Sequence, residues 1–174
     1  VVFEVDALAT LADKTARIKR AGLSIDKNHK FVKTDFAKDD LAKTLVNAGF
    51  DKNKPSFFSW LGVTYYLSRE DIEKTLESIA GLSAAGSGLV FDYPDEKYIV
   101  SDIPRVKKTV MMAAAGGEPM KKGMSKTEAE TLLNKCGFTV KENLTPEQIQ
   151  DRVTGKNRSV KAFECVNYVY AERK

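Results

Sequence analysis

The chain has 174 residues, is 43% hydrophobic, and carries 28 Lys and Arg against 24 Asp and Glu. That size and balance fit one folded domain and exclude a disordered chain. The net charge of +4 is too mild for a nucleic-acid binder, and no apolar run approaches the ~20 residues of a membrane span. The chain opens on Val1-Val2-Phe3-Glu4-Val5-Asp6, an apolar strand ending in acid, with no initiator Met and no polar lead-in. Domains seldom begin on a buried strand, so a segment upstream of Val1 is expected. A helix follows, with Leu8, Leu11, Ala12 and Ile18 on one face and Gly22 near its end. Lys30 to Thr34 is the second strand, ending at Asp35. Leu41, Ala42, Leu45 and Ala48 repeat at helical spacing and are closed by Gly49.

Pro55 opens a third strand, Ser56 to Leu61. Ser68 with Asp71 forms a capping box for a helix whose inner face is Ile72, Leu76 and Ile79. Gly88 to Asp92 is a fourth strand, again ending in acid. Ile99 to Ala115 is expected to be helical and to break at Gly116-Gly117. Ser125 with Glu128 caps the next helix, and Phe138 to Val140 is a short strand. Thr145-Pro146 with Gln148 starts a further helix, and Phe163 to Ala171 is the last strand. Strands alternating with helices predict an α/β fold with a mostly parallel sheet, and the last two strands could pair antiparallel at its edge.

Ligands of open α/β sheets bind beyond the carboxyl ends of the strands. Asp6, Asp35 and Asp92 are expected at those ends. A carboxylate there accepts both hydrogen bonds from the vicinal hydroxyls of a ribose. Asp6 is placed for that, with Glu4 two residues earlier on the same side of the pleat. Asp35, one unit later, could meet an adenine amino group with Phe36 beside the ring; alternatively, each Asp caps its following helix. Ser59 to Leu67 is the richest stretch: Gly62 allows close backbone approach, and Tyr65 and Tyr66 can present hydroxyls. Trp60 reads as core. His29, the only histidine, has no cysteine or carboxylate at metal-ligand spacing and reads as a solvated residue of a polar turn. Cys136 and Cys165 form neither a disulfide framework nor a metal-ligand pattern, which fits a cytoplasmic protein. The chain contains no Gly-x-Gly-x-x-Gly and no Walker loop.

Taken in order, Phe3-Glu4-Val5-Asp6, Lys14, Arg17, Phe31 to Phe36, Ala48 to Asp51, Pro55, Ser59 to Leu67, Gly86-Ser87, Val90 to Tyr93 and the closing Asn167 to Arg173 resemble the leucine carboxyl methyltransferase-like family. More narrowly they resemble its bacterial branch of S-adenosylmethionine-dependent methyltransferases. The resemblance implies a Rossmann-like class I methyltransferase fold with an antiparallel edge, and S-adenosylmethionine as methyl donor. It implies that Asp6, with Glu4 beside it, grips the ribose, that Asp35 and Phe36 lie at the adenine, and that Tyr66 holds the substrate. It also implies that residues 1–174 are the C-terminal part of one methyltransferase domain, whose first strand–helix unit and glycine-rich loop lie elsewhere. Many members carry Glu where this chain has Leu61, and a polar residue and Pro in place of Ala7 and Leu8.

The expected reaction is O-methylation of a carboxyl or hydroxyl group on a small molecule, with no nucleic acid or membrane as partner. A homodimer partner or an upstream segment is expected to complete the sheet. The rival reading is a catalytically inert fragment serving as a structural or oligomeric module. A nicotinamide dehydrogenase, which also places an acid on a ribose, lacks a proton-relay residue here.

Overall fold

A computed structural model describes residues 1–35, 39–154 and 160–174, with the side chain of residue 154 left aside. The chain divides into two compact units, Val1–Asn53 and Lys54–Lys174.

The first unit alternates β1 (Val2–Asp6), α1 (Leu8–Arg20), β2 (His29–Lys33) and α2 (Leu41–Asn47). β1 and β2 pair in parallel, with Val2 opposite His29 and Asp6 opposite Lys33. A parallel pair needs a crossover, and α1 supplies it. Leu11 turns inward from α1, and Val32 and Leu45 are buried from β2 and α2. Arg17, Lys19 and Arg20 close α1, where cations complement the negative end of the helix dipole. Asp40 caps α2 by accepting the Lys43 N–H at 3.0 Å. Phe3 meets Phe50 edge to face at 5.5 Å, and the Lys30 ammonium lies 5.3 Å from the centre of the Phe3 ring.

The second unit runs β3 (Phe57–Trp60), a 3-10 turn (Thr64–Tyr66), α3 (Arg69–Leu82), β4 (Gly88–Pro94), α4 (Pro104–Ala115), α5 (Lys126–Lys135), β5 (Phe138–Leu144), α6 (Pro146–Ile149) and β6 (Val166–Arg173). Its four-stranded sheet has the order β3-β4-β6-β5. β3 and β4 are parallel, whereas β6 lies antiparallel to both β4 and β5. The antiparallel edge is therefore a hairpin-like pair whose last strand inserts beside β4. Leu76 and Ile79 of α3, Leu89, Phe91 and Tyr93 of β4, Leu133 of α5, Phe138 of β5 and Val169 of β6 form one buried cluster. A smaller cluster gathers Tyr98, Val106 and Val166, with Tyr65, Val110 and Phe163 against it. The capping boxes at Ser68, Ser125 and Thr145 form as their sequences predict.

Several boundaries differ from the sequence reading, among them the last strand, which runs Val166–Arg173 rather than from Phe163 to Ala171. Residues 99–103 are not helical, because Pro104 sits at the first helical position and disfavours helix in the residue before it. β5 runs on to Leu144, with an irregularity in its pairing between Val140 and Glu142. β4 runs on to Pro94, so Asp92 lies inside the strand rather than at its end. Trp60 is partly buried and packs against the core, its ring 5.6 Å from that of Phe91.

Candidate functional site

The carboxyl ends of β1 and β2 lie side by side, joined by the Thr34 N–H donating to the Asp6 carbonyl at 3.1 Å. This brings Asp6 and Asp35 to one end of the two-stranded sheet. Neither is the cap of its helix. Ala7 occupies the cap position of α1, and Asp40 caps α2. Asp6 Oδ1 accepts the Ala7 N–H at 2.7 Å, while Oδ2 takes no hydrogen bond among the described residues. Asp35 is exposed, and its N–H donates to Asp39 Oδ2 at 2.7 Å. Phe36 lies outside the described residues.

Glu4 points to a different arrangement from Asp6. One of its oxygens takes the Lys14 ammonium, and the other sits 3.0 Å from His29 Nε2. Burial pushes the Glu4 carboxyl up, but the hydrogen bonds and charges of Lys14 and His29 outweigh it and hold the group below 4.5. The sequence placed His29 in a polar turn as a solvated residue. The structure corrects this: His29 is the first residue of β2, and its parallel pairing opposite Val2, two residues before Glu4, lets its ring reach the Glu4 carboxylate. The His29 ring also lies tilted against that of Phe31, with centres 4.7 Å apart.

A second polar atom at this end also lacks a partner among the described residues. The Thr34 hydroxyl is buried and makes no hydrogen bond among the described residues. A buried hydroxyl without a partner costs stability unless something satisfies it.

In the second unit, the segment Gly62 to Tyr66 is pinned to β4. Asp92, 5% exposed, accepts the Gly62 N–H at 2.7 Å on Oδ1 and the Tyr65 hydroxyl at 3.0 Å on Oδ2. Its carbonyl accepts the Thr64 hydroxyl at 2.7 Å. The Lys121 N–H holds the Tyr65 carbonyl at 2.6 Å. Gly62 has φ +74°, a backbone shape that favours glycine and that turns its N–H onto Asp92. Desolvation pushes the Asp92 carboxyl above its ordinary value, and the Gly62 and Tyr65 hydrogen bonds offset only part of that. The Tyr65 hydroxyl is likewise pushed up, first by burial and then by the Asp92 charge. Tyr65 is thus a structural donor. Tyr66 is half-exposed, its ring 6.3 Å from that of Tyr65, and its hydroxyl makes no hydrogen bond among the described residues.

Sequence reasoning missed Asp92 as the clamp of this segment, although it noticed the acid. Its signal lay in the pairing of a glycine and a tyrosine after β3 with a lone acid inside the next apolar strand. Among the described residues, no group of three or more His, Cys, Asp or Glu side chains could hold a metal. Nor is any described helix long and apolar enough to cross a membrane.

Comparison with known proteins shows what the chain is similar to. A family model described as leucine carboxyl methyltransferase matches residues 1–80. A Bacillus subtilis protein named "Putative S-adenosyl-L-methionine-dependent methyltransferase YktD" is 39% identical over 99% of this chain, which spans 58% of that relative's length. A DUF574-family protein from Streptomyces avermitilis matches in structure with a TM-score of 0.70 at 14% identity, covering 99% of this chain and 65% of its own. An S-adenosylmethionine-dependent methyltransferase from Mesorhizobium loti matches with a TM-score of 0.62 at 16% identity, over 99% of this chain and 80% of its own. The fold is accordingly α/β and Rossmann-like, of the methyltransferase type.

Proposed function

We propose, for a chain whose first 80 residues belong to the leucine carboxyl methyltransferase family, that it carries the adenosine-binding end and the acceptor-binding segment of an S-adenosylmethionine-dependent O-methyltransferase. The observation that carries this reading is Asp6: a carboxylate at the carboxyl end of a parallel strand, with one oxygen steadied by the Ala7 N–H and the other open. Asp6 accepts the ribose hydroxyls, Asp35 and Phe36 lie toward the adenine, and Glu4 braces the strand end through Lys14 and His29. When bound, the cofactor supplies a methyl group activated by its sulfonium. Such transfers need orientation more than covalent help. Tyr66 would provide it, donating its hydroxyl to the acceptor from a turn that Asp92 holds still.

The acceptor class is a small carboxylic acid or hydroxyl compound. Calorimetric titration of the protein with S-adenosylmethionine and S-adenosylhomocysteine tests the cofactor half. Saturable binding that is lost in Asp6→Ala supports it. No heat at millimolar cofactor from a folded sample overturns it and leaves the inert-module reading. Transfer of labelled methyl groups to a panel of small acids and alcohols tests the acceptor half.

A further inference from the structure

Helix α4 is firmly seated on one side and bare on the other. Val106 is fully buried and Val110 packs on the Tyr98 cluster. Arg105 donates to Glu164 at 2.8 Å and lies 4.8 Å from the Phe163 ring centre. These contacts fix the helix's rotation. The opposite stripe, Pro104, Lys107, Lys108, Met111, Met112 and Ala115, lines a shallow groove of about 510 Å³. Met111 and Met112 are each 64% exposed. The spacing i, i+3, i+4, i+7, i+8, i+11 is that of a helix face made to meet another helix. Two adjacent methionines in the open are unusual on a surface without a partner, and methionine adapts readily to an apposed surface.

We propose that this face binds a second copy of the chain, two α4 helices meeting antiparallel about a two-fold axis between Met111 and Met112. The charges around the stripe make it complementary to itself. Lys107 and Lys108 lie in its N-terminal half. Exposed Glu118 lies at the other end, held against the last turn by its N–H donating to the Ala113 carbonyl at 3.0 Å. A two-fold axis at the methionine pair sets Lys107 opposite Gly116 and Lys108 opposite Ala115. That sets both lysines beside the turn that closes the other copy's helix and carries its exposed Glu118. The carbonyls at the end of the partner helix add to the attraction for the two ammonium groups. A two-fold contact needs one patch that complements itself, and this stripe meets that condition. A 12-residue helix offers less than the ~800 Å² per partner of a standard interface, so the dimer is a weak one, of micromolar dissociation constant.

Sedimentation and light scattering over about 5–200 µM test the proposal. The mass should rise from 19.3 kDa towards twice that value. Met111→Asp with Met112→Asp should hold the protein monomeric while leaving its thermal unfolding unchanged. Lys107→Glu with Lys108→Glu should weaken association at least ~10-fold, and adding Glu118→Lys should restore it. A wild-type monomer throughout the range overturns the proposal, including one whose methionines resist oxidation, which would assign the face to another segment. A dimer that survives the aspartates, or a charge reversal that Glu118→Lys fails to rescue, also overturns it.

Discussion

The hydroxyl of Tyr65 donates to the carboxylate of Asp92 at 3.0 Å, and this bond locks the turn after β3 onto the middle of β4. The Gly62 N–H holds the other Asp92 oxygen, so a nearly buried charge rests on two donors. Removing one partner leaves a desolvated oxygen without a bond. Tyr65→Phe should therefore cost about 1.5–3 kcal/mol, seen as a fall in the denaturant midpoint.

The same site has a pH signature. The folded Asp92 carboxyl titrates above 3.8, mainly because it is desolvated. The folded state thus holds this proton more tightly than the unfolded state does. Its favourable contribution is complete below 3.8 and is lost as pH rises from there through the raised folded value. Asp92→Asn keeps an acceptor for Gly62, and its amide can donate to the Tyr65 oxygen, with no charge to desolvate. The variant should be as stable as the parent at pH 8, whereas Asp92→Ala should unfold earlier at every pH. Thermal melts of the three proteins at pH 4 and pH 8 give the comparison. A large loss in Asp92→Asn at pH 8 would show that the carboxylate charge itself holds the turn.

Helix α3 combines a local start signal with a buried face. Ser68 accepts the Asp71 N–H at 3.2 Å, and Asp71 returns a bond to the Ser68 N–H. Leu76, fully buried, carries the same helix into the main core. Ser68→Ala should cost about 1 kcal/mol through the lost cap. Leu76→Ala should cost about 2–5 kcal/mol through the cavity it leaves. Urea titration resolves the two, and equal losses would mean that the cap carries tertiary contacts beyond the box.

Cys165 has φ 61°, in the left-handed region that costs a residue with a Cβ about 1–2 kcal/mol. Its carbonyl accepts the Asp95 N–H at 2.9 Å, which fixes that conformation just before β6. Glycine adopts it freely, at an entropic cost of about 0.5–1 kcal/mol. Cys165→Gly should then be at least as stable as Cys165→Ala, reversing the usual order of the two. Calorimetric melts of both variants decide it, and a clearly more stable alanine variant would mean that the backbone relaxes once the thiol is gone.

Local chemistry was legible in the sequence where it acts over three or four residues. The capping boxes at Ser68, Ser125 and Thr145, and the strand–helix alternation through Asp35, needed nothing beyond their neighbours. Two site relationships were not legible, because folding brings together residues 25 to 30 positions apart. His29 reaches Glu4 only through the register of β1 with β2. Asp92 reaches Gly62 only because β3 and β4 pair in parallel, which sets the turn after one beside the middle of the other. The start of α4 failed for a third reason: the apolar pattern from Ile99 is continuous, but Pro104 overrides it sterically.

Glu4 and Asp6 stand two residues apart on one strand, yet they should fail in opposite ways. Both Glu4 oxygens are engaged, by Lys14 and by His29, whereas Asp6 keeps Oδ2 open. Glu4 titrates below 4.5 in the folded protein, so its support is present above that value and is lost as pH falls through the lowered folded value. Glu4→Gln should lower the melting temperature at pH 7, and the deficit should shrink as the pH is brought down to 4. Its cofactor affinity, measured well below the melting transition, should stay within about threefold of the parent's, since a 1.4 kcal/mol change is tenfold and the lost contact lies outside the ligand. Asp6→Asn should do the reverse. It keeps the bond to the Ala7 N–H and hence the melting temperature, but it offers a ribose diol one acceptor where a carboxylate offers two. Loss of a charge-assisted bond should weaken S-adenosylhomocysteine at least ~10-fold. Paired calorimetric titration and thermal melts of the two variants make the test. If Glu4→Gln loses the ligand while Asp6→Asn keeps it, the ribose lies on the Lys14 and His29 side of the strand, and Asp6 only steadies the entry to α1.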